Sequence, residues 1–328
     1  MMILADILSA TVLFAVPLLL VALGGMFSER SGVINIALEG IMIVGALMSC
    51  LALSFMDQSG FGPANPQWAM LLAILVAGAA GMVYSLLLAF ASIHLKADQT
   101  IGGTALNMLA PAFAVVLTWS IQGQGNTTIF IPTWTRITAQ AAGAADTGSF
   151  LVRLVFKSLY LTTPIALVLL LLSALILYRT RLGLRLRSCG EHPQAAGSVG
   201  INVYRMRYIG VVFSGFLGGI GGLAFTVAAG SGFQSTVAGY GFLALAVMIF
   251  GNWKPLNIFL ASLLFAFFKI LGSYSGSLPF LPQFKGVASS EYIYLMLPYV
   301  VTMIVLILSS KKSRAPKAEG IPYDKGRR

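Results

Sequence analysis

The feature that most constrains this chain is a series of long apolar runs that do not alternate with polar residues. No charged residue occurs from Ile7 to Ser28, and none from Tyr160 to Tyr178. A backbone placed in lipid must satisfy its polar groups within the segment, so runs of about 20 apolar residues become membrane-spanning helices. A β-barrel would need strict alternation, and the run 165–177 has none. Composition agrees: hydrophobic residues are 58% and charged residues 9%, where a soluble domain carries about 45–50% and about 25%. A single soluble core cannot absorb that excess, because large cores split into domains. The 35 glycines fit the same class, since glycine is commoner in membrane helices than in soluble ones. The fold expected is all-α, a polytopic transmembrane helical bundle.

Nine spans are predicted, at about 5–27, 33–56, 68–93, 101–120, 160–178, 208–229, 237–253, 256–272 and 292–309. The first is read as a span, because no basic region precedes it and it is long for a signal peptide. The seventh is short and bounded by glycine, which suggests a broken or re-entrant helix. Lysine and arginine set the orientation. If the loop 179–207 is cytoplasmic, alternation puts 16 of the 21 basic residues inside; Arg136, Arg153, Lys157 and Lys285 fall outside and Lys269 within a span. The net charge of +11 therefore reflects topology, not nucleic-acid binding. The N-terminus is expected outside and the C-terminus in the cytoplasm. The external connection 121–159 is the longest, with a short interfacial helix expected at 150–157. Residues 1–310 are expected to form one transmembrane domain. Residues 311–328 form a basic tail, expected to be disordered. Cys50 and Cys189 give no sign of pairing.

Three polar residues within the spans are the candidates for chemistry: Glu39, Asn35 and Asn107. Glu39 is an ionisable group at membrane depth, and such groups usually face the protein interior. Asn35 is placed one helical turn earlier on the same face. Both fit a substrate or proton pathway, or a buried carboxylate bonded to a neighbouring helix end or to Arg30. Asn107 has the same two readings, as pathway or as interhelical hydrogen bonding. In the sixth span Gly215/Gly219 and Gly218/Gly222 have small-xxx-small spacing and read as tight helix packing. The run from Gly219 to Ala224 lacks the preceding strand that a dinucleotide fingerprint requires. The loop 179–207 contains Gly190, Glu191, Pro193, Ala195, Ala196, Gly200 and Ile201. Pro193 suits a first helical turn, Ala195 and Ala196 continue it, and Gly197 and Gly200 end it. A short helix rimmed with arginines is built to dock, unless the loop is merely solvated. There is no phosphate-binding loop and no zinc-binding helix motif. His94 and His192 lie far apart and read as ordinary loop histidines.

The run Glu29-Arg-Ser-Gly-Val-Ile-Asn-Ile-Ala-Leu-Glu-Gly-Ile-Met42 resembles the opening signature of ABC-importer permeases of the branched-chain amino acid, ribose and nucleoside group. The loop from Thr180-Arg-Leu-Gly-Leu-Arg to Gly200-Ile201 resembles that group's coupling loop. Gly239-Tyr-Gly-Phe-Leu-Ala-Leu-Ala-Val-Met-Ile-Phe-Gly251 resembles its late short span, and Gly103-Thr-Ala-Leu-Asn107 also fits. Together they cover most of residues 28–256. Within the group, the segment 31–40 is most similar to nucleoside or simple-sugar permeases.

The resemblance implies a permease subunit of a bacterial inner-membrane importer, not an enzyme. It implies no cofactor on this chain, with ATP and Mg held by a partner ATPase. It also implies a second, non-identical permease and an external substrate-binding protein or lipoprotein. Gly190, Glu191, Pro193, Ala195, Ala196, Gly200 and Ile201 would then couple to the ATPase. Asn35, Glu39 and Asn107, with Ser231 and Gln234 at the outer end of the sixth span, would line the substrate path. Other cargoes stay open at this point, namely ribose, another simple sugar or a branched-chain amino acid. A proton-coupled carrier using Glu39 stays open as well.

Overall fold

The computed structural model describes residues 2–137, 159–274 and 315–325, with six helical positions between 296 and 304. The helices are α1 (Met2–Arg30), α2 (Leu38–Gln58), α3 (Phe61–Ala64), α4 (Pro66–Ala89), α5 (Gln99–Gln122), α6 (Thr162–Arg179), α7 (Arg181–Glu191), α8 (Pro193–Ser198), α9 (Val203–Ala229), α10 (Tyr240–Phe250) and α11 (Pro255–Tyr274). Among the described residues the only β pairing is two isolated bridges. Seven helices are long and apolar enough to cross a membrane. They match seven of the predicted spans. Most of the expected ninth span, and the expected interfacial helix at 150–157, lie outside the described residues.

Helix α9 is the hub, packed against α4, α1 and α2. Its glycines explain why. A Cβ on Gly219 would collide with the Ala77 carbonyl of α4, and a Cβ on Gly45 of α2 would collide with the Gly219 backbone. Three backbones thus meet at one residue. In lipid the hydrophobic effect does not drive helices together, so close backbone packing of this kind must do so. The small-xxx-small reading holds. By contrast α5 and α6 are mostly exposed on the outside of the bundle, where lipid or a partner must cover their apolar faces.

Two spans differ from expectation. The second begins at Leu38, because residues 31–37 leave the helix at Ser31 and Gly32, the latter at φ 95°. Asn35 therefore lies in an unwound linker and does not share a helical face with Glu39. The seventh is only 11 residues, Tyr240–Phe250. At 1.5 Å per residue it is about 17 Å long, half of a ~30 Å hydrocarbon core. It enters from Gly239 at φ 76° and ends in a turn at Asn252 and Trp253, so the broken form is the one found.

The connections that carry most of the basic residues meet at one end of the bundle, while Arg136 lies in the connection between α5 and α6 at the other. At the basic end Arg30 lies 3.9 Å from Glu191, and Lys96 lies 3.4 Å from Asp324. The tail differs from expectation too. Residues 315–325 pack against this basic end, burying Ala318 and Tyr323. Its backbone donates hydrogen bonds to other loops there, which a solvated tail would not do.

Candidate functional site

The unwound linker 31–37 is mostly buried inside the bundle, so its backbone groups need partners. Side chains supply them. The Ser28 hydroxyl donates to Val33 O at 2.7 Å, and Ile34 N–H donates to Gln99 Oε1 at 2.7 Å. Asn107 does two jobs: its Nδ2 donates to Ile36 O at 2.8 Å, and its Oδ1 accepts Gly40 N–H at 2.7 Å. It thereby bridges the linker and the first turn of α2. Asn35 Nδ2 donates to Ser214 Oγ at 2.8 Å. Ser214 stands 11 residues into α9, about 17 Å from its start, so the linker climbs to mid-depth of the bundle. Asn35 is fully buried, and its Oδ1 has no partner among the described residues.

Glu39 reaches across to α10. Its Oε1 accepts Gly239 N–H at 2.8 Å and its Oε2 accepts Gly241 N–H at 2.7 Å. A half-span helix that begins inside the bundle presents its free N–H groups where no water caps them. A carboxylate there meets the positive end of the helix dipole. A Cβ on Gly241 would collide with the Glu39 backbone, so the glycine is what lets the two segments touch. The geometry realises one of the two sequence readings, the carboxylate bonded to a neighbouring helix end. Asn35, Glu39 and Asn107 are thus brought together at a mid-depth junction of two broken helices. Ser231 and Gln234 are exposed in the connection leading into α10. That connection is pinned by an antiparallel bridge between Phe233 and Ile129, with N–H···O distances of 2.9 and 2.8 Å.

The other end of α10 is also tied. Trp253 Nε1 donates to Glu29 Oε2 at 2.5 Å, and Arg30 Nη2 donates to Trp253 O at 3.2 Å. Both ends of the half-span helix therefore answer to the α1–α2 break.

At the basic end, residues 179–207 form two helices where one was expected. Thr180 Oγ1 accepts Gly183 N–H at 3.2 Å and starts α7. Gly190, in its last turn, is packed so closely on Arg30 that a Cβ would strike the Arg30 carbonyl. The expected short helix is α8: Pro193 opens it and Ala196 is buried in it. Gly200 N–H donates to Gly197 O and Ile201 N–H to Ala196 O, both at 3.1 Å. Gly200, at φ 84°, takes the left-handed turn that stops it. Glu191 and Ala195 are exposed, while Gly190 and Pro193 face inward. Hollows of about 340 and 430 Å³ flank α8. Between them Val199 is 75% exposed, and Leu184 beside it is 62% exposed. Apolar knobs, hollows and arginines on one face suit a partner protein. Cys189 is fully buried here, and burial raises its thiol pKa. Among the described residues no group of three or more His, Cys, Asp or Glu stands together to hold a metal ion.

Several important residues escaped the sequence reading: Ser214, Gln99, Trp253, Arg207 and the segment 316–323. Gln99 follows Asp98, whose carboxylate caps α5 by accepting the N–H groups of Thr100 and Ile101, and that cap was readable. The others carry no local signal, because their partners are backbone groups or lie far away in sequence.

A bundle of membrane-crossing helices, with a half-span helix meeting a helix break at mid-depth, is the build of a transport permease. The chain belongs to the family described as branched-chain amino acid transport system / permease component, whose model matches residues 7–308. It is 43% identical over 327 residues to the guanosine ABC transporter permease protein NupQ of Bacillus subtilis, covering 99% of this chain and 98% of that one. It is 40% identical to the nucleoside ABC transporter permease protein NupC of Lactococcus lactis, covering 98% and 97%. It is also 31% identical to a putative glucose ABC transporter permease protein, TsgC13, of Haloferax volcanii, covering 84% and 79%. No solved structure matches the chain.

Proposed function

We propose that this chain is the membrane-spanning subunit of an ATP-binding cassette importer that takes up nucleosides. The observation that carries this is identity of 43% and 40%, over nearly the whole length, to permeases named for guanosine and nucleosides. The glucose-named relative is more distant, at 31%. In this reading the basic end faces the cytoplasm, as the excess of Lys and Arg there requires. A partner ATPase, which holds ATP and Mg, docks on α8 through Gly190 to Ile201. A second permease covers the exposed face of α5, and an external binding protein delivers cargo near Ser231 and Gln234. Cargo passes along the junction of Asn35, Glu39 and Asn107 as the bundle rocks between outward-open and inward-open states. Asn35 Oδ1, buried and without a partner among the described residues, is the acceptor most ready to meet a nucleoside hydroxyl or amine.

The test is uptake of labelled guanosine and adenosine in cells with and without the gene, with ribose and leucine as competitors. The expected result is gene-dependent uptake that stops on ATP depletion and ignores both competitors. Competition by ribose or leucine would move the cargo to that class. Uptake that survives ATP depletion but stops when the proton gradient collapses would overturn the ABC mechanism.

A further inference from the structure

The segment 316–323 touches almost every connection at the basic end. Ala318 N–H donates to Gly190 O at 2.8 Å, at the end of α7. Gly320 N–H donates to Gly32 O at 3.3 Å, where α1 breaks. Arg207 of α9 is fully buried, and its Nη1 donates to Ile321 O at 2.9 Å. The Tyr323 ring sits edge-on to Tyr204, 5.3 Å between centroids. The Tyr323 hydroxyl lies over Gly197 of α8, where a Cβ would come within 2.5 Å of it. One residue further, Asp324 pairs with Lys96 before α5.

These contacts are not those of a tail resting on a surface. Two of the anchors are backbone carbonyls, at the end of α7 and at the break between α1 and α2, and the Tyr323 hydroxyl lies against the backbone of α8. Arg207 cannot leave its site cheaply, because a buried guanidinium that loses a partner is costly. Its Nε and Nη2 already lack partners among the described residues. The Ile321 carbonyl is therefore a fixed point of the segment. The linker that Gly32 opens leads directly to Asn35, Glu39 and the half-span helix.

We infer that residues 316–323 form a strap that locks the coupling loop to the α1–α2 break, making Tyr323 and Arg207 positioning residues for coupling. This rests on the permease reading above. With the strap in place, a push on α8 moves α7, the linker and the start of α2 as one body. Without it, α8 can move while the mid-depth junction stays still, and ATP is hydrolysed without transport.

The experiment uses the whole transporter complex in membranes. In a Cys50→Ala background Cys189 is the only cysteine of the chain. It is fully buried in a cluster with Ala196, Val203, Met206 and Tyr323, so its alkylation by a maleimide reports strap docking. Two variants loosen the strap: Tyr323→Ala, and a stop codon after Arg314. Tyr323→Phe keeps the ring against Tyr204 and serves as the rescue. Alkylation of Cys189 should speed up by about tenfold or more in the loosened variants, as for a locally opened segment. Cargo moved per ATP hydrolysed should fall by about fivefold or more, the usual scale of a lost coupling. Tyr323→Phe should restore both. Unchanged alkylation in Tyr323→Ala, with the complex assembled, overturns the docking. Faster alkylation with unchanged cargo per ATP overturns the positioning role. If the parent chain itself shows no ATP-dependent uptake, the permease reading falls and the strap's role falls with it. That outcome is told apart from the others by the parent alone.

Discussion

Replacing Glu39 with glutamine separates a helix cap from a cargo-binding group. The native carboxylate accepts Gly239 N–H at 2.8 Å and Gly241 N–H at 2.7 Å, one on each oxygen. Glutamine fills the same space but offers a single carbonyl oxygen. Its amide nitrogen must face the second N–H, donor against donor. One charge-assisted bond is lost, worth about 1.5–3 kcal/mol. The interaction of a negative charge with the start of α10 is lost as well, about 0.3–1 kcal/mol. Together that is about 2–4 kcal/mol, or about 30- to 1,000-fold at 1.36 kcal/mol per decade. The loss falls on local opening of the α10 entry, not on the bundle as a whole. Amide hydrogen exchange at Gly239 and Gly241 should therefore quicken by that factor in Glu39→Gln, while amides in the centre of α9 stay protected. Transport should fall in step, because the half-span helix is no longer held. Full protection of both glycines together with lost transport would refute the cap. Glu39 would then be acting on the cargo.

Gly219→Ala places a methyl against the Ala77 carbonyl of α4, whereas Gly102→Ala meets nothing nearer than Leu88 Cδ1 at 3.9 Å. The first should cost about 1–3 kcal/mol of overpacking and lower the yield of folded protein in detergent; the second should be near neutral, and equal yields would contradict the three-way seam. Asn107→Asp can still accept from Gly40 N–H but, ionised, has no proton for Ile36 O. It should cost about 1–3 kcal/mol at pH 8, less at pH 5, read as thermal stability; no loss at pH 8 would mean that the Asn107 amide does not bridge the linker. Burial raises the carboxyl pKa of Glu319 above the ordinary range, partly offset by its hydrogen bond to Glu29 and by the Arg30 charge. An acid raised in the folded state favours folding below its ordinary pKa and loses that contribution as pH rises through the raised value. Intrinsic-rate-corrected exchange at Ala318 and Gly320 should thus quicken as pH rises above the ordinary glutamate range, and Glu319→Gln should remove that dependence. A flat pH profile in the parent would show that Glu319 does not face Glu29 and Arg30.

What the sequence revealed and what it concealed divide along one line. Continuous apolar runs report burial in lipid, so seven long spans were readable to within a few residues, except where the backbone breaks. Pro193, Ala196 and Gly200 act on the backbone at their own positions, so α8 was readable nearly to its ends. Glu39 and Asn107 stood out as polar residues at membrane depth, but their partners did not. Gly239 and Gly241 lie 200 residues or more from Glu39 and contribute only N–H groups, which leave no mark in a sequence. Residues 33–37 were misread as helix because four of the five are apolar and continue directly into the apolar run of α2. The strap was misread as a disordered tail for a related reason. It is short, proline-bearing and charged, and its anchors at Gly190, Gly32 and Ile321 are backbone groups.

Those concealed contacts share a physical function. A half-span helix cannot hold itself in lipid, since both its ends expose polar groups that water does not reach. Here Glu39 satisfies one end, and Glu29 and Arg30 engage the turn at the other. All three acids and bases flank the same break, residues 31–37. The break is in turn held by Asn107, Gln99 and the strap. A displacement of the break must therefore be shared by α10, α2 and the α7–α8 loop, or several buried polar groups lose their partners at once. Such costs disfavour intermediate positions, so the junction is expected to move between a few discrete arrangements. That is the property that an alternating-access device requires of its hinge.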